Sequence, residues 1–200
     1  MQGVLWSGQT TGDVPQAPAD DADLVALAQA NPRAFELIYR RYVDAIHRYC
    51  YRRLGSREAA EDATSVVFTK AFAALPTYRG GSFRSWLFTI AYHTIADDLR
   101  ARRPAAELDA AAAVADGAVS PEESAFAADA ERSVAVLLAQ LSEGQRQVVE
   151  LRLAGLSGRE IAETLGRGLP AVKIAQMRAY RRLRELLNTK HDEEGRDGRR

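Results

Sequence analysis

Cysteine is nearly absent from this chain of 200 residues: Cys50 stands alone, so no intrachain disulfide can form, and a reducing compartment fits. With three histidines and one cysteine, no Cys/His cluster has the spacing of a zinc site. Aromatic residues make up only 8% of the chain while alanine is abundant, a balance that favours helices over sheets. No apolar run approaches the roughly 20 residues needed to span a bilayer. Residues 1–31 contain no Lys or Arg, so a secretory leader with a basic start is not expected there. Net charge is also missing, with 27 basic and 27 acidic side chains.

That neutrality hides a segregation. Residues 1–31 carry four acids and no bases, and residues 32–100 carry 11 bases against 7 acids. Residues 101–131 carry 2 bases against 7 acids, and residues 132–190 carry 11 against 5. Two basic blocks flank an acidic one, the pattern of two nucleic-acid-facing modules and a connector that DNA repels. The opposite charges of the connector and the rear block also predict a masking contact between them.

The predicted fold class is all-α, with two small helical domains joined by a flexible acidic linker. Residues 1–19 have the composition of a disordered extension. Asp20 or Asp21 can cap a first helix carrying Leu24, Leu27 and Ala28. Asn31-Pro32 reads as a cap and first helical position, followed by an apolar face at Phe35, Ile38, Tyr42, Ile46 and Tyr49. Gly55 ends that helix and Ser56 starts the next, with Ala60, Ala63, Val67 and Ala71 inward. Pro76 to Gly81 is a turn, and Ser82 can cap a long helix with a stripe of Phe83, Trp86, Leu87, Ile90, Ala91 and Ile95, ending near Arg103-Pro104. The front domain therefore covers 20–103. Residues 104–130 form the linker, with a short helical start at Ser120-Pro-Glu-Glu123. The rear domain covers 131–190, and 191–200 reads as a disordered tail.

The rear domain carries two capping boxes, Ser142-x-x-Gln145 and Ser157-x-x-Glu160. The second opens a short helix, Gly166 supplies a turn, and a strongly basic helix follows: a helix-turn-helix, which points to duplex DNA. On the basic helix Val172, Ala175, Ala179, Leu183 and Leu186 share the packing face. Lys173, Ile174, Met177, Arg178, Arg181 and Arg184 face away. In a major groove Lys173 can donate to guanine, and Ile174 and Met177 can touch thymine methyls. Arg181, Arg184 and, on the preceding helix, Arg159 suit phosphates.

In the front domain Arg79-Gly-Gly-Ser-Phe-Arg-Ser-Trp86 combines aromatic rings and cations at the mouth of a long helix, as a single-strand grip requires. The same rings, lying on an apolar stripe, also suit a core, and Trp86 is open to both readings.

Glu61-Asp-Ala-Thr-Ser-Val-Val-Phe-Thr-Lys-Ala-Phe72, followed by Tyr78-Arg-Gly-Gly-Ser-Phe-Arg-Ser-Trp-Leu-Phe-Thr-Ile-Ala91, resembles region 2 of the bacterial sigma-70 family, in its compact extracytoplasmic-function group. Leu141-Ser-Glu-Gly-Gln-Arg-Gln-Val-Val-Glu-Leu-Arg152 with the helix-turn-helix resembles region 4. The resemblance covers residues 24–103 and 131–187. It implies a cytoplasmic, non-enzymatic protein without a cofactor that binds core RNA polymerase and selects promoters. Region 4 would read the −35 duplex through Arg159, Lys173, Ile174, Met177, Arg178 and Arg181. Region 2 would melt the −10 element with Arg79, Ser82, Phe83, Arg84, Trp86, His93 and Arg100. Asp62, Ser65 and Phe68 would meet the clamp helices of the largest polymerase subunit. An anti-sigma protein is the further implied partner, and no membrane insertion is implied.

The sequence departs from that pattern in four places, of which Arg167, where the turn often has an apolar residue, carries the least weight. Ser65-Val66-Val67 stands where the family often has Gln-Glu-Thr, removing an acid from the polymerase surface. Tyr92-His93 stands where Arg-Asn is common, which predicts a different −10 preference. Ile174 and Met177 replace commonly polar residues, which predicts apolar −35 readout. The two promoter elements lie ~70 Å apart, at ~34–36 Å per duplex turn. The linker reaches at most ~90–100 Å when extended. Rival readings are a helix-turn-helix regulator acting without polymerase, an interaction protein that titrates polymerase or another sigma factor, and a metal or catalytic site at His93, Asp97 and Asp98. That last trio reads more simply as a solvated polar face. Cys50 fits a small buried residue, and His47 and His191 have no visible partner.

Overall fold

The computed structural model describes residues 20–106, 130 and 132–197, with side chains placed through 101, at 130 and from 132 to 188. The leading extension, the body of the linker and its predicted helical start at Ser120 lie outside the described residues, as does the contact predicted between linker and rear block. Among the described residues there is no strand, and no helix is long and apolar enough to cross a membrane.

The front module begins with α1 (Asp21–Ala30), capped by Asp20, whose carboxylate accepts from the Ala22 amide. Asn31 caps a single 3-10 turn, Pro32–Ala34, rather than the long helix itself, and α2 runs from Phe35 to Leu54. Ile38, Tyr42, Ile46 and Tyr49 are buried along one face of α2, at the predicted spacing. Gly55 stops α2 at φ 72°, a left-handed conformation that a residue with a Cβ adopts at a cost. Ser56 caps α3 (Arg57–Ala74), which buries Ala60, Ala63, Val67 and Ala71. A 3-10 turn, Leu75–Thr77, leads through Gly80 and Gly81, at φ 106° and 94°, into α4 (Phe83–Ala106). The α4 helix continues past Pro104, beyond its predicted end at Arg103-Pro104. Gln29 ties α1 to the approach to α4 by donating to the carbonyls of Leu75 and Tyr78 at 2.9 and 3.0 Å.

The rear module comprises α5 over 132–138, α6 (Glu143–Leu153), α7 (Gly158–Leu165) and α8 (Leu169–Asp197). Both predicted capping boxes are formed, at Ser142/Gln145 and at Ser157/Glu160. The α8 helix runs on to Asp197, into the segment expected to be a disordered tail. Leu138, Leu141, Val149 and Ala179 form a small core of their own between α5, α6 and α8.

The other face of α6 looks elsewhere. Val148, Leu151, Leu156, Ile161 and Val172 belong to the same buried cluster as Ile46, Tyr49, Leu87, Phe88 and Ile95 of the front module. The two modules are therefore in direct contact, with α7 against α4 and α6 against α2. Phe88, absent from the predicted stripe, is fully buried, and its ring meets Tyr49 edge-on at 5.5 Å.

Candidate nucleic-acid interface

The rear surface is set by the turn. Gly166 closes α7 at φ 60°, and the Arg167 amide donates back to the Ala162 carbonyl at 2.9 Å. This fixes how α8 leaves α7. Val172 and Ala179 are buried, while Ala175, Leu183 and Leu186 are half-buried, so the predicted packing face is the one that packs. Lys173, Ile174, Met177, Arg178 and Arg181 are all exposed on the opposite side, and Arg159 is exposed at the start of α7. Ile174 and Met177 stand 47% and 64% exposed, apolar surface that contact with base methyls would take out of water.

The front surface is organised by a ring cluster. Tyr78, Phe83 and Trp86 lie with centroids 5.2–5.6 Å apart. Phe83 is the buried member at 3% exposure, facing Tyr42 as well, so it supports the loop from below and offers no free face for a base. Trp86 is half-buried and lines a shallow groove with Thr77, Arg79, Gly80 and Gly81. The exposed Arg79 guanidinium donates to the Pro76 carbonyl at 2.7 Å, which folds it over the loop. Trp86, exposed His93 and exposed Arg100 are each seven residues apart on α4. That interval is two turns, so they mark one face of the helix at steps of ~10 Å. Tyr92 packs against His93 at 5.3 Å, and Arg100 pairs with Asp97 at 2.7 Å. Among the described residues no group of His, Cys, Asp and Glu is arranged to hold a metal.

Ser82 and Arg84 are engaged differently. The Ser82 hydroxyl caps α4 by accepting from the Ser85 amide at 3.2 Å, and it donates to the Glu160 carboxylate of α7. Arg84 donates to the Ala154 carbonyl at 3.1 Å, with its guanidinium 5.7 Å from the centre of the Tyr42 ring. Despite partial burial, hydrogen bonds from Ser82 and Ser157 hold the Glu160 carboxyl below the usual carboxylate range.

A third surface lies between α2 and α3. Asp62 and Ser65 are exposed on α3, as expected. Phe68 is only 4% exposed, edge-on to Phe35 and Tyr39 at 6.4 and 4.8 Å, so it forms the floor of the groove rather than its rim. The exposed apolar atoms of the groove belong instead to Tyr39 and Phe72, at 44% and 48%, and Val66 is exposed at 43% on α3 outside the groove lining. Sequence reasoning missed Tyr39 and Phe72 as contact residues, while it placed Val66 on the polymerase surface where the family often has an acid. The available signal was Phe72, an aromatic placed one position beyond the buried face marked by Ala60, Ala63, Val67 and Ala71.

Two family models match the chain in this order: Sigma-70 region 2 over residues 38–104, and Sigma-70, region 4 over residues 131–183. The chain is 36% identical over 182 residues to the ECF RNA polymerase sigma factor BldN of Streptomyces coelicolor, covering 86% of this chain and 69% of that protein. The chain belongs to the extracytoplasmic-function sigma factors. It is also 37% identical over 149 residues to the sigma factor SigD of Mycobacterium tuberculosis, covering 69% of each. Among solved structures, CnrH in complex with the cytosolic domain of CnrY matches with a TM-score of 0.66 at 28% identity, covering 87% of this chain and 99% of that one. RpoE of Bartonella quintana, solved with the anti-sigma factor NepR, matches at the same TM-score and 23% identity, and attests the fold. This sigma factor is a DNA-recognition protein, not an enzyme, and it directs promoter-specific transcription initiation.

Proposed function

We propose that the three surfaces divide the work of initiation. The α2/α3 groove docks on the clamp helices of core polymerase, with Asp62 and Ser65 as polar contacts and Phe72 and Tyr39 as the apolar rim around Phe68, and exposed Val66 extends that surface along α3. The face of α4 marked by Trp86, His93 and Arg100, with Arg79 above it, holds the melted −10 strand. The outer face of α8 reads the −35 duplex through Lys173, Ile174, Met177 and Arg178, while Arg181 and Arg159 sit on phosphates. The front domain over 20–103 and the rear domain over 131–190 are then two separate promoter grips on one linker, working in the cytoplasm. A protein inhibitor of the anti-sigma class is the proposed regulator, a reading supported by the similarity to CnrH, solved with the cytosolic domain of CnrY.

The observation that carries this is the pairing, on one chain, of an outward cationic helix face after a helix-turn-helix with a ring-and-cation groove at the mouth of α4. Run-off transcription with purified core polymerase on a promoter library tests it. The wild-type chain should select a promoter class. Trp86→Ala should lower open-complex formation on that class about 5- to 100-fold, as loss of one base-stacking platform does. Transcription starts that do not depend on the chain would refute the reading.

A further inference from the structure

The loop that carries the proposed −10 grip has little packing of its own. Gly80 and Gly81 sit at φ 106° and 94°, and a Cβ on either would meet nothing within 4 Å. Two adjacent glycines in open space leave the backbone wide conformational freedom. The loop is held instead through Tyr78. Its hydroxyl donates to the Gly81 carbonyl at 2.8 Å, which closes residues 78–81 on themselves. Its ring lies against Phe83 and Trp86, with centroids 5.6 and 5.2 Å away. Whatever fixes the Tyr78 backbone therefore fixes the glycines and the neighbour of Trp86 together.

That backbone is fixed from α1. The Gln29 side chain donates to the Leu75 carbonyl at 2.9 Å and to the Tyr78 carbonyl at 3.0 Å, across 46 and 49 residues of sequence. Both partners are carbonyls, so the amide nitrogen faces them and both of its protons are used. Gln29 lies in the last turn of α1, next to Ala28, which is buried with Leu24 and Val25 in the main core. That burial anchors the amide. Arg79 grips the same turn, donating to the Pro76 carbonyl at 2.7 Å and to the Tyr78 carbonyl at 3.4 Å. An Arg79 turned toward a strand phosphate lets go of the turn. Gln29, uncharged and on another helix, does not.

We propose that Gln29 is a positioning residue for −10 recognition: from α1 it presets the turn at residues 75–78, so that the loop meets the melted strand already ordered. The proposal rests on the assignment of the surface around Arg79 and Trp86 to the −10 strand. Its consequence is selective. A loop ordered for only part of the time binds its preferred base with an affinity reduced by that fraction. A poorly fitting base, which makes little use of the loop, loses less. Gln29 then contributes to discrimination at −10 and not at −35, where α8 meets the duplex.

Run-off transcription by polymerase holoenzyme containing the full chain tests this, on the promoter selected from the library and on single-base variants of its −10 and −35 elements. Gln29→Ala should lower the preference for the selected −10 element over its variants about 3- to 30-fold, as loss of two partly exposed hydrogen bonds would, and leave the −35 preference unchanged. Gln29→Glu, of the same size but with acceptors where the donors stood, should fall at least as far. Asp20→Ala removes the cap at the other end of α1, and should lower the thermal midpoint without changing the −10 preference. Wild-type −10 preference in either Gln29 variant, an equal fall at −10 and −35, or the same −10 loss in Asp20→Ala overturns the proposal. Trp86→Ala in the same assay reads the underlying assignment. Open complexes formed as well as by the wild type would refute that assignment, and the proposal with it. Their loss beside unchanged Gln29 variants would refute the role of Gln29 alone.

Discussion

Cys50 has no exposed surface, and burial pushes its thiol up to about 11, against a hydrogen bond with Thr64 that pulls it down. The folded chain therefore holds this proton more tightly than the unfolded chain, whose ordinary value is 9.0. The resulting stability is present in full below pH 9 and is lost as pH rises through about 11. At pH 8 the native thiol should resist maleimide and react as soon as denaturant unfolds the front module. Rapid labelling of the folded protein would contradict the burial.

Glu150 is the other residue whose environment decides its behaviour. Burial raises its carboxyl, while the Arg53 and Arg146 guanidiniums pull it down. For Arg53, burial disfavours the cation, but the hydrogen bond with Glu143 and the charge of Glu150 outweigh it and hold the guanidinium firmly protonated. Glu143 is 59% exposed at its side chain, so its share of the network is screened by water and salt. Glu150→Ala should cost about 3–5 kcal/mol, because it strands Arg53 with only the exposed partner. Arg53→Met combined with Glu150→Leu should recover most of that loss, and a double-mutant cycle by urea denaturation measures it. Additive losses would mean the pair is not coupled.

At the scale of elements, α8 sorts its outward side chains by role. Lys173 lies in the first turns of the helix and Arg181 two turns later, both exposed. Lys173→Ala should shift the preferred −35 sequence at a cost of about 1–3 kcal/mol on the best site. Arg181→Ala should weaken all sites alike and lower the slope of log affinity against log salt by about 1. Filter binding of duplex −35 variants at several salt concentrations separates the two, and a sequence-independent loss at Lys173 would reassign it to phosphate.

The helices themselves were legible because their information is local. Caps at Asp20, Ser56, Ser142 and Ser157 sit next to the turns they close, and Gly55 and Gly166 mark ends that need positive φ. Periodicity likewise separated Val172 and Ala179 from Lys173 and Met177 on α8. What periodicity does not encode is which neighbour an apolar face meets. Phe68 and Phe83 were expected at binding surfaces and lie in the core, since a buried aromatic and a stacking aromatic look alike in a linear pattern. Phe88 meets Tyr49 from 39 residues away, and the seam between the two modules joins partners 70–97 residues apart, such as Arg84 with Ala154 and Arg53 with Glu150, and no local spacing reports them.

Across the whole molecule, the decisive fact is that the main buried cluster crosses from one module to the other. Leu151 is fully buried in α6 within that cluster, while Trp86 packs against it from α4. If the shared cluster couples the modules, a cavity in the rear must be felt in the front. Leu151→Ala should destabilise by about 2–5 kcal/mol. The denaturation midpoint reported by Trp86 fluorescence, in a Trp6→Phe background, should fall together with the loss of total helix signal. Independent modules would behave otherwise: the helix signal would split into two transitions and the Trp86 midpoint would stay where it was.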